Sequence, residues 1–367
     1  KSNIFWCIQD RKLIMALSKI DLANMVENQM PQSLIADNIN FRNIIINGDM
    51  SLSQRSTSVS SITGSGYNTV DRYTLQLSSQ GTWTQSQSTD VPTGQGFAKS
   101  LKMDCTTADA SPSASDEFSL RQKIEGQNLQ YLKKGTSSAE STTVSFWVKS
   151  NKIGTYICEL RDSDNSRQIN KSYTISSANT WEKKTITYDG DTTGALDNDN
   201  ARSLDVVWWL GAGSNFTSGT LQTSWGSIVA ANRAVGQVNL ADSTSNEWYI
   251  TGVQLEAGTA SDFEFLPVDV NLQRCQRYFE TGIVGAAGGL SNGSGYTGSM
   301  VSYSTTKRAA ATLTQSSQSY ASVYSNTIVL GQTGSTNVND VNGFYHRAIN
   351  GGAATNYKFT YTADAEL

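Results

Sequence analysis

The chain carries one histidine, His346, set between Tyr345 and Arg347 in a stretch that reads as a strand. A serine nucleophile would need this histidine as its base, and nothing beside it marks that role. It reads as a structural or surface residue. The acids cluster in turns instead of closing strands, so no carboxylate pair of the kind a glycosidase uses stands out. Two runs, Arg161–Asn170 and Asp189–Asn200, hold closely spaced oxygen ligands of the sort calcium takes. Neither has EF-hand spacing, and Asp and Asn in turns ordinarily serve the backbone. The expectation is a non-enzymatic protein with no metal and no cofactor.

Aromatic rings offer the stronger chemistry. A flat indole can stack on the apolar face of a pyranose while neighbouring amides and carboxylates bind the hydroxyls. Trp147 and Trp209 oppose the aliphatic stripes of their strands, and Trp83, Trp181, Trp225 and Trp248 lie among polar neighbours. Trp147, Trp209, Trp181 and Trp225 are therefore the candidate glycan-stacking residues. For any single ring the competing reading is burial between two sheets. Few charges and many amides suit a neutral, hydroxylated ligand.

The elements that must position these rings are strands. "TTVSFWVKS" puts Val144, Phe146 and Val148 on one face and Ser145, Trp147 and Lys149 on the other. "SLDVVWWLG" and "EWYITGVQLEAG" alternate in the same way, with turn clusters such as Ser163–Ser166 and Asp189–Gly194 between strands. The pattern predicts an all-β fold: an antiparallel jelly-roll sandwich over residues 41–270, then a smaller β domain over 271–367 that is richer in Gly, Ser, Ala and Tyr. Ile44–Ile46 reads as the first strand, with Asn47-Gly48-Asp49 bending it into the sandwich.

Residues 1–40 read differently. Ser18–Asp21 resembles a capping box, and Leu17, Ile20, Met25 and Val26 fall near helical spacing until Pro31. Ile4, Phe5 and Trp6 add an apolar stretch, so Ile4, Phe5, Trp6, Leu17, Ile20 and Met25 are the candidate anchoring residues. Met15 reads as a natural start, leaving the first fourteen residues as upstream sequence or a short anchoring peptide. A helix this short needs partners to be stable, either copies of itself, a larger assembly or its own domain.

Composition narrows the partners. Charged residues make up 16% of the 367, against roughly 25% in ordinary soluble domains. The net charge of −4 leaves no basic footprint for nucleic acid. No apolar run approaches the ~20 residues of a membrane-spanning helix, so no membrane insertion is expected. Cys7, Cys105, Cys158 and Cys275 lie far apart and read as free and buried.

The order of motifs resembles that of tailed-bacteriophage tail-fibre and head-fibre proteins. "NIIINGDMSLSQRSTS" (Asn43–Ser58) with "YNTVDRYTL" (Tyr67–Leu75) is similar to the opening of their display domains. "VSFWVKS" (Val144–Ser150) and "NTWEKKTITYDGD" (Asn179–Asp191) look like their carbohydrate-binding-module-like sandwich. Trp248–Glu280 is similar to the closing segment, which ends in a Cys-Gln-Arg-Tyr element. Met50 departs from the pattern, which usually has Phe there, and no long shaft is present. The resemblance implies a homotrimeric fibre or knob exposed on the virion surface. Its N-terminal segment would bind other virion proteins, and its β domains would adhere to host surface glycans. The alternative is a structural adaptor or capsid decoration protein that binds no sugar. Gln54-Arg55 and Asp71-Arg72 read as structural partners near the start of the domain.

Overall fold

The computed structural model describes residues 41–288, 295–320, 328–333, 336–350 and 355–367. The expected N-terminal helix and all six candidate anchoring residues lie outside them. Residues 43–367 form one unit, built almost wholly from antiparallel strands.

The first part holds β1 (Ser58–Tyr67), β2 (Thr74–Ser88), β3 (Ser100–Thr107), β4 (Glu117–Glu125), β5 (Thr142–Ser150), β6 (Gly154–Asp162), β7 (Arg167–Ile175), β8 (Glu182–Tyr188), β9 (Arg202–Ala212), β10 (Gly226–Ser227) and β11 (Glu247–Ala257). They hydrogen-bond in the order β10-β7-β6-β9-β4-β2-β3-β11-β5-β8, with β1 added on β2. This single path folds into two layers because β2 serves both. Its first half pairs with β4 and its second half with β3. Ser79, between the halves, takes a left-handed backbone with φ 55°, the kind of local irregularity that re-aims a strand.

The layers meet through large side chains. Phe146 of β5 lies edge-on to Trp208 of β9 and Tyr173 of β7, at 5.9 and 5.1 Å between ring centres. Val144, Phe146 and Val148 are buried in that core, as the alternation of β5 requires. β9 departs from the expectation. Asp205, Val207 and Trp209, read as its outward face, are buried as well. The segment after β9, including the one-turn helix Ser214–Thr217, folds back over them, so Trp209 packs on Phe216 with 5.4 Å between ring centres.

Ile44–Ile46 is not a strand. Its backbone is satisfied one group at a time: Ile46 exchanges two hydrogen bonds with the Gln122 amide at 2.8 and 2.9 Å, and Ile45 donates to Asn43 Oδ1. Side-chain amides replace a ladder here, which an apolar triplet does not reveal. Gly48 lies against β11, its carbonyl oxygen accepting from Val253 N–H at 2.8 Å. A Cβ at Gly48 would stand 2.0 Å from Val253 O, so only glycine fits this corner.

After helix α1 (Val268–Gln276) come β12 (Phe279–Gly288), β13 (Gly295–Ser302), β14 (Thr312–Tyr320), β15 (Ile328–Leu330), β16 (Gln332–Thr333), β17 (Thr336–Asn337), β18 (Gly343–Asn350) and β19 (Thr355–Asp364). Two three-stranded sheets, β12-β19-β14 and β13-β18-β15, share a small core in which Phe344 meets Tyr361 at 4.9 Å. Neither the helix nor β12 directly after it was expected; the strand character of the segments that follow was.

The opening and closing segments of the fibre resemblance meet at one joint between these sheets and the sandwich. Gln54 donates its backbone and side-chain N–H groups to Asp71 at 2.9 and 2.7 Å. The Arg72 guanidinium is paired with Glu366 and lies 3.3 Å from the centre of the Tyr278 ring. Arg55 sits 3.7 Å over Phe279 and pairs with Asp364. Arg277 grips Glu125 with two hydrogen bonds of 2.8 Å. Both residue pairs of the motifs are structural partners, as read, and their arginines also hold the last residues of the sequence.

Candidate functional site

On the outer face of β8, β5, β11 and β3, alternation places Lys183, Trp147 and Thr251 side by side in one cross-strand row. The next row holds Lys149, Tyr249 and Lys102. Neighbouring side chains in such rows stand about 5 Å apart and act together.

A cleft of about 290 Å³ opens at the first row, lined there by Ser145, Trp147, Lys183 and Gly252. Its wall comes from two connections, Gly94–Phe97 between β2 and β3 and Asp262–Phe265 after β11. Phe97, Phe263 and Phe265 form a three-ring cluster with centres 4.8 to 5.1 Å apart. Phe265 keeps half its surface in solvent (51%). The cluster fits because β11 bulges between Thr251 and Gln254, where Gly252 has φ 61° and a Cβ would come within 2.6 Å of Phe97 Cζ. The cleft is thus a partly buried indole facing phenyl rings, with an amide, a hydroxyl, an ammonium and a carboxylate at its edges. A recess that sets aromatic rings beside a few polar groups is a usual form of small-ligand site.

The second row is tied together by charge. Trp181 donates its indole N–H to Asp90 at 3.0 Å and lies edge-on to Tyr249, 6.1 Å away. Lys149 pairs with Asp90 and stands 4.3 Å over Tyr249. Lys102 pairs with Glu247 at 3.0 Å and with Asp104 at 3.6 Å. Partial burial works against the charge of Asp90, but the hydrogen bonds from Lys149 and Trp181 outweigh it and hold this carboxyl below the usual aspartate range. Glu247 is lowered in the same way, burial being outweighed by Tyr249 and Lys102.

The four candidate rings therefore part company. Trp147 lines the cleft, and Trp181 lies partly buried beside it on the same face. Trp225 is elsewhere, donating to Asp189 O at 2.8 Å with Lys134 over its ring. Trp209 is fully buried, its N–H on Glu159 at 2.9 Å and Arg233 across that same carboxylate. Trp209 has no open face and cannot stack on a ligand. Trp83 and Trp248 are core residues too.

His346 is buried on β18, sharing a 2.9 Å hydrogen bond with Ser299 of β13, and burial pushes its pKa down. The two calcium-like runs do come together, but a lysine stands between them. The Lys134 ammonium is paired with Asp162 and Asp191 and donates to the carbonyls of Gly194 at 2.8 Å and Thr193 at 3.3 Å. The three described cysteines, Cys105, Cys158 and Cys275, are free and buried. Among the described residues no helix is long and apolar enough to cross a membrane.

The chain matches no family model and no curated protein. Among solved structures it is similar to the enzymatically active domain of tailspike protein 4 of bacteriophage CBA120, at 13% identity and a TM-score of 0.31. That match covers 59% of this chain and 22% of the tailspike chain, so the likeness spans under a quarter of the phage protein. A putative sugar-binding protein from Bacteroides thetaiotaomicron is 13% identical over 59% of this chain and 100% of its own, with a TM-score of 0.33. TmCBM61, solved with β-1,4-galactotriose, is 10% identical over 59% and 99%, with a TM-score of 0.30. At such TM-scores these likenesses decide nothing about function.

Proposed function

We propose that this chain is a non-enzymatic glycan-binding protein, and that it serves as a homotrimeric fibre or knob on the virion of a tailed phage. The cleft of Trp147 and the three phenylalanines is the observation that carries the binding reading. It offers apolar faces for a sugar ring and edge groups for its hydroxyls. Binding is favoured over hydrolysis because the cleft lining holds a single carboxylate, Asp262, where a glycosidase uses a facing pair. The phage setting rests on the motif resemblance, whose residues here build the joint between sandwich and C-terminal sheets. The same reading gives the N-terminal segment the task of attachment to other virion proteins.

Titration of the full chain with a panel of host-surface oligosaccharides tests the binding reading. Saturable binding that Trp147→Ala removes, with folding intact by circular dichroism, is the expected result. No binding to any glycan, with the protein found on purified particles, would favour the adaptor reading instead.

A further inference from the structure

We infer that the cleft selects a saccharide unit carrying a carboxylate, with Lys183 as its counter-ion; this rests on the glycan-binding reading above. Lys183 is the direct cross-strand neighbour of Trp147 and lines the cleft with it. Its side chain is exposed, and among the described residues it enters no ion pair. The other lysines of this face differ: Lys149 is neutralised by Asp90, and Lys102 by Glu247 and Asp104. The cleft therefore presents one uncompensated ammonium beside one indole face. A hexuronate matches both features, since its ring has an apolar face and its C5 substituent is a carboxylate. Ser145 and Gln95 remain for its hydroxyls.

The charge count also sets the kind of anion. One ammonium balances one negative charge, and Asp262 in the same lining already has an interaction of its own and repels a second. A monoanionic carboxylate suits this better than a phosphate dianion. The low overall charge of the chain concealed this, because the local excess comes from which lysine lacks an acid and not from composition.

The test is calorimetric titration of the full chain with paired hexuronate and neutral hexose oligosaccharides, at low and high salt, for the natural protein, Lys183→Gln and Trp147→Ala. The uronate member of a pair should bind roughly tenfold more tightly, an advantage the size of one charge-assisted hydrogen bond. Salt should reduce that advantage. Lys183→Gln should abolish the uronate's advantage, so that the two members of a pair bind with one affinity, while Trp147→Ala should weaken both. Equal binding of the two members, or a uronate preference that survives Lys183→Gln, overturns the inference and leaves glycan binding standing. Failure of every oligosaccharide to bind the natural protein overturns the glycan reading and this inference with it.

Discussion

The ammonium of Lys134 stands 3.0 Å from the carboxylate of Asp191, with Asp162 on its other side, between two acid-rich loops. All three side chains are nearly closed to solvent. Removing the ammonium leaves two facing carboxylates, and breaking a buried pair in this way costs about 3–5 kcal/mol. Lys134→Ala should lower the melting temperature by an amount readable in calorimetry. Millimolar calcium should not restore the loss, because the Arg167 guanidinium still holds Asp191 at 2.7 Å. Unchanged stability of the variant without calcium would show that the loops do not depend on Lys134.

Acid should loosen the same cluster. Burial works against the charge of Asp191, but hydrogen bonds from Arg167 and Lys134 prevail and hold its pKa below the usual range. A carboxyl lowered on folding stabilises the fold above its unfolded pKa, and that stability is lost as pH falls through the folded value. Thermal melts from neutral to strongly acidic pH should therefore decline below the ordinary aspartate range. Asp191→Asn should start less stable and decline less over that interval.

Trp147 and Trp209 should respond to truncation in opposite ways. Trp209→Ala opens a cavity among Ile157, Val207 and Ala234 and frees the Glu159 carboxylate of one donor. A loss of about 3–5 kcal/mol is expected in denaturant unfolding, with glycan affinity changed little in whatever protein remains folded. Trp147→Ala should cost much less stability and remove binding.

Gly252→Ala probes the cleft through its phenylalanine wall. The new Cβ would collide with the Phe97 ring at a residue with φ 61°. Strain of about 1–3 kcal/mol is expected, together with weaker glycan binding, because Phe97 can only yield toward Phe263 and Phe265. The check is titration and melting of the same preparation.

At the joint, Arg72→Met removes one of the two arginine partners of Glu366 and the cation over Tyr278. Burial already raises the pKa of Glu366, with Arg72 and Arg55 pulling against it, so a carboxyl left with Arg55 alone should protonate more readily. A loss of about 3–5 kcal/mol and faster proteolysis within residues 355–367 are expected. Equal protease resistance would mean the arginine does not hold that segment.

The strands with one wet face were legible in sequence. β5 shows alternation because one side meets the core while Trp147 and Lys149 on the other are only partly covered; β11 alternates too, although both of its faces are buried. β9 shows the same alternation and breaks the rule, since the segment around Phe216 covers its second face, and no local pattern announces a cover contributed from further along the chain. Ile44–Ile46 looked like a strand because burial selects isoleucine there, while its backbone is served by Gln122 from a distant strand. Half of the cleft was visible, through Trp147. The other half was not, because Phe97, Phe263 and Phe265 sit on connections with no period to read. Lys134 was invisible as a cation substitute for a like reason: it precedes both acid-rich loops in an unremarkable Lys-Lys pair.

The sharing of β2 between the two layers has a kinetic consequence. Neither sheet can close until this strand is placed, and placing it requires β4 and β3 together with β9 and β11, whose residues lie far along the chain. Loop-closure entropy must be overcome for both layers before either gains its full burial, which makes for a slow, strongly cooperative assembly. A chain interrupted between Ser78 and Thr82 would lose both layers at once, not one of them.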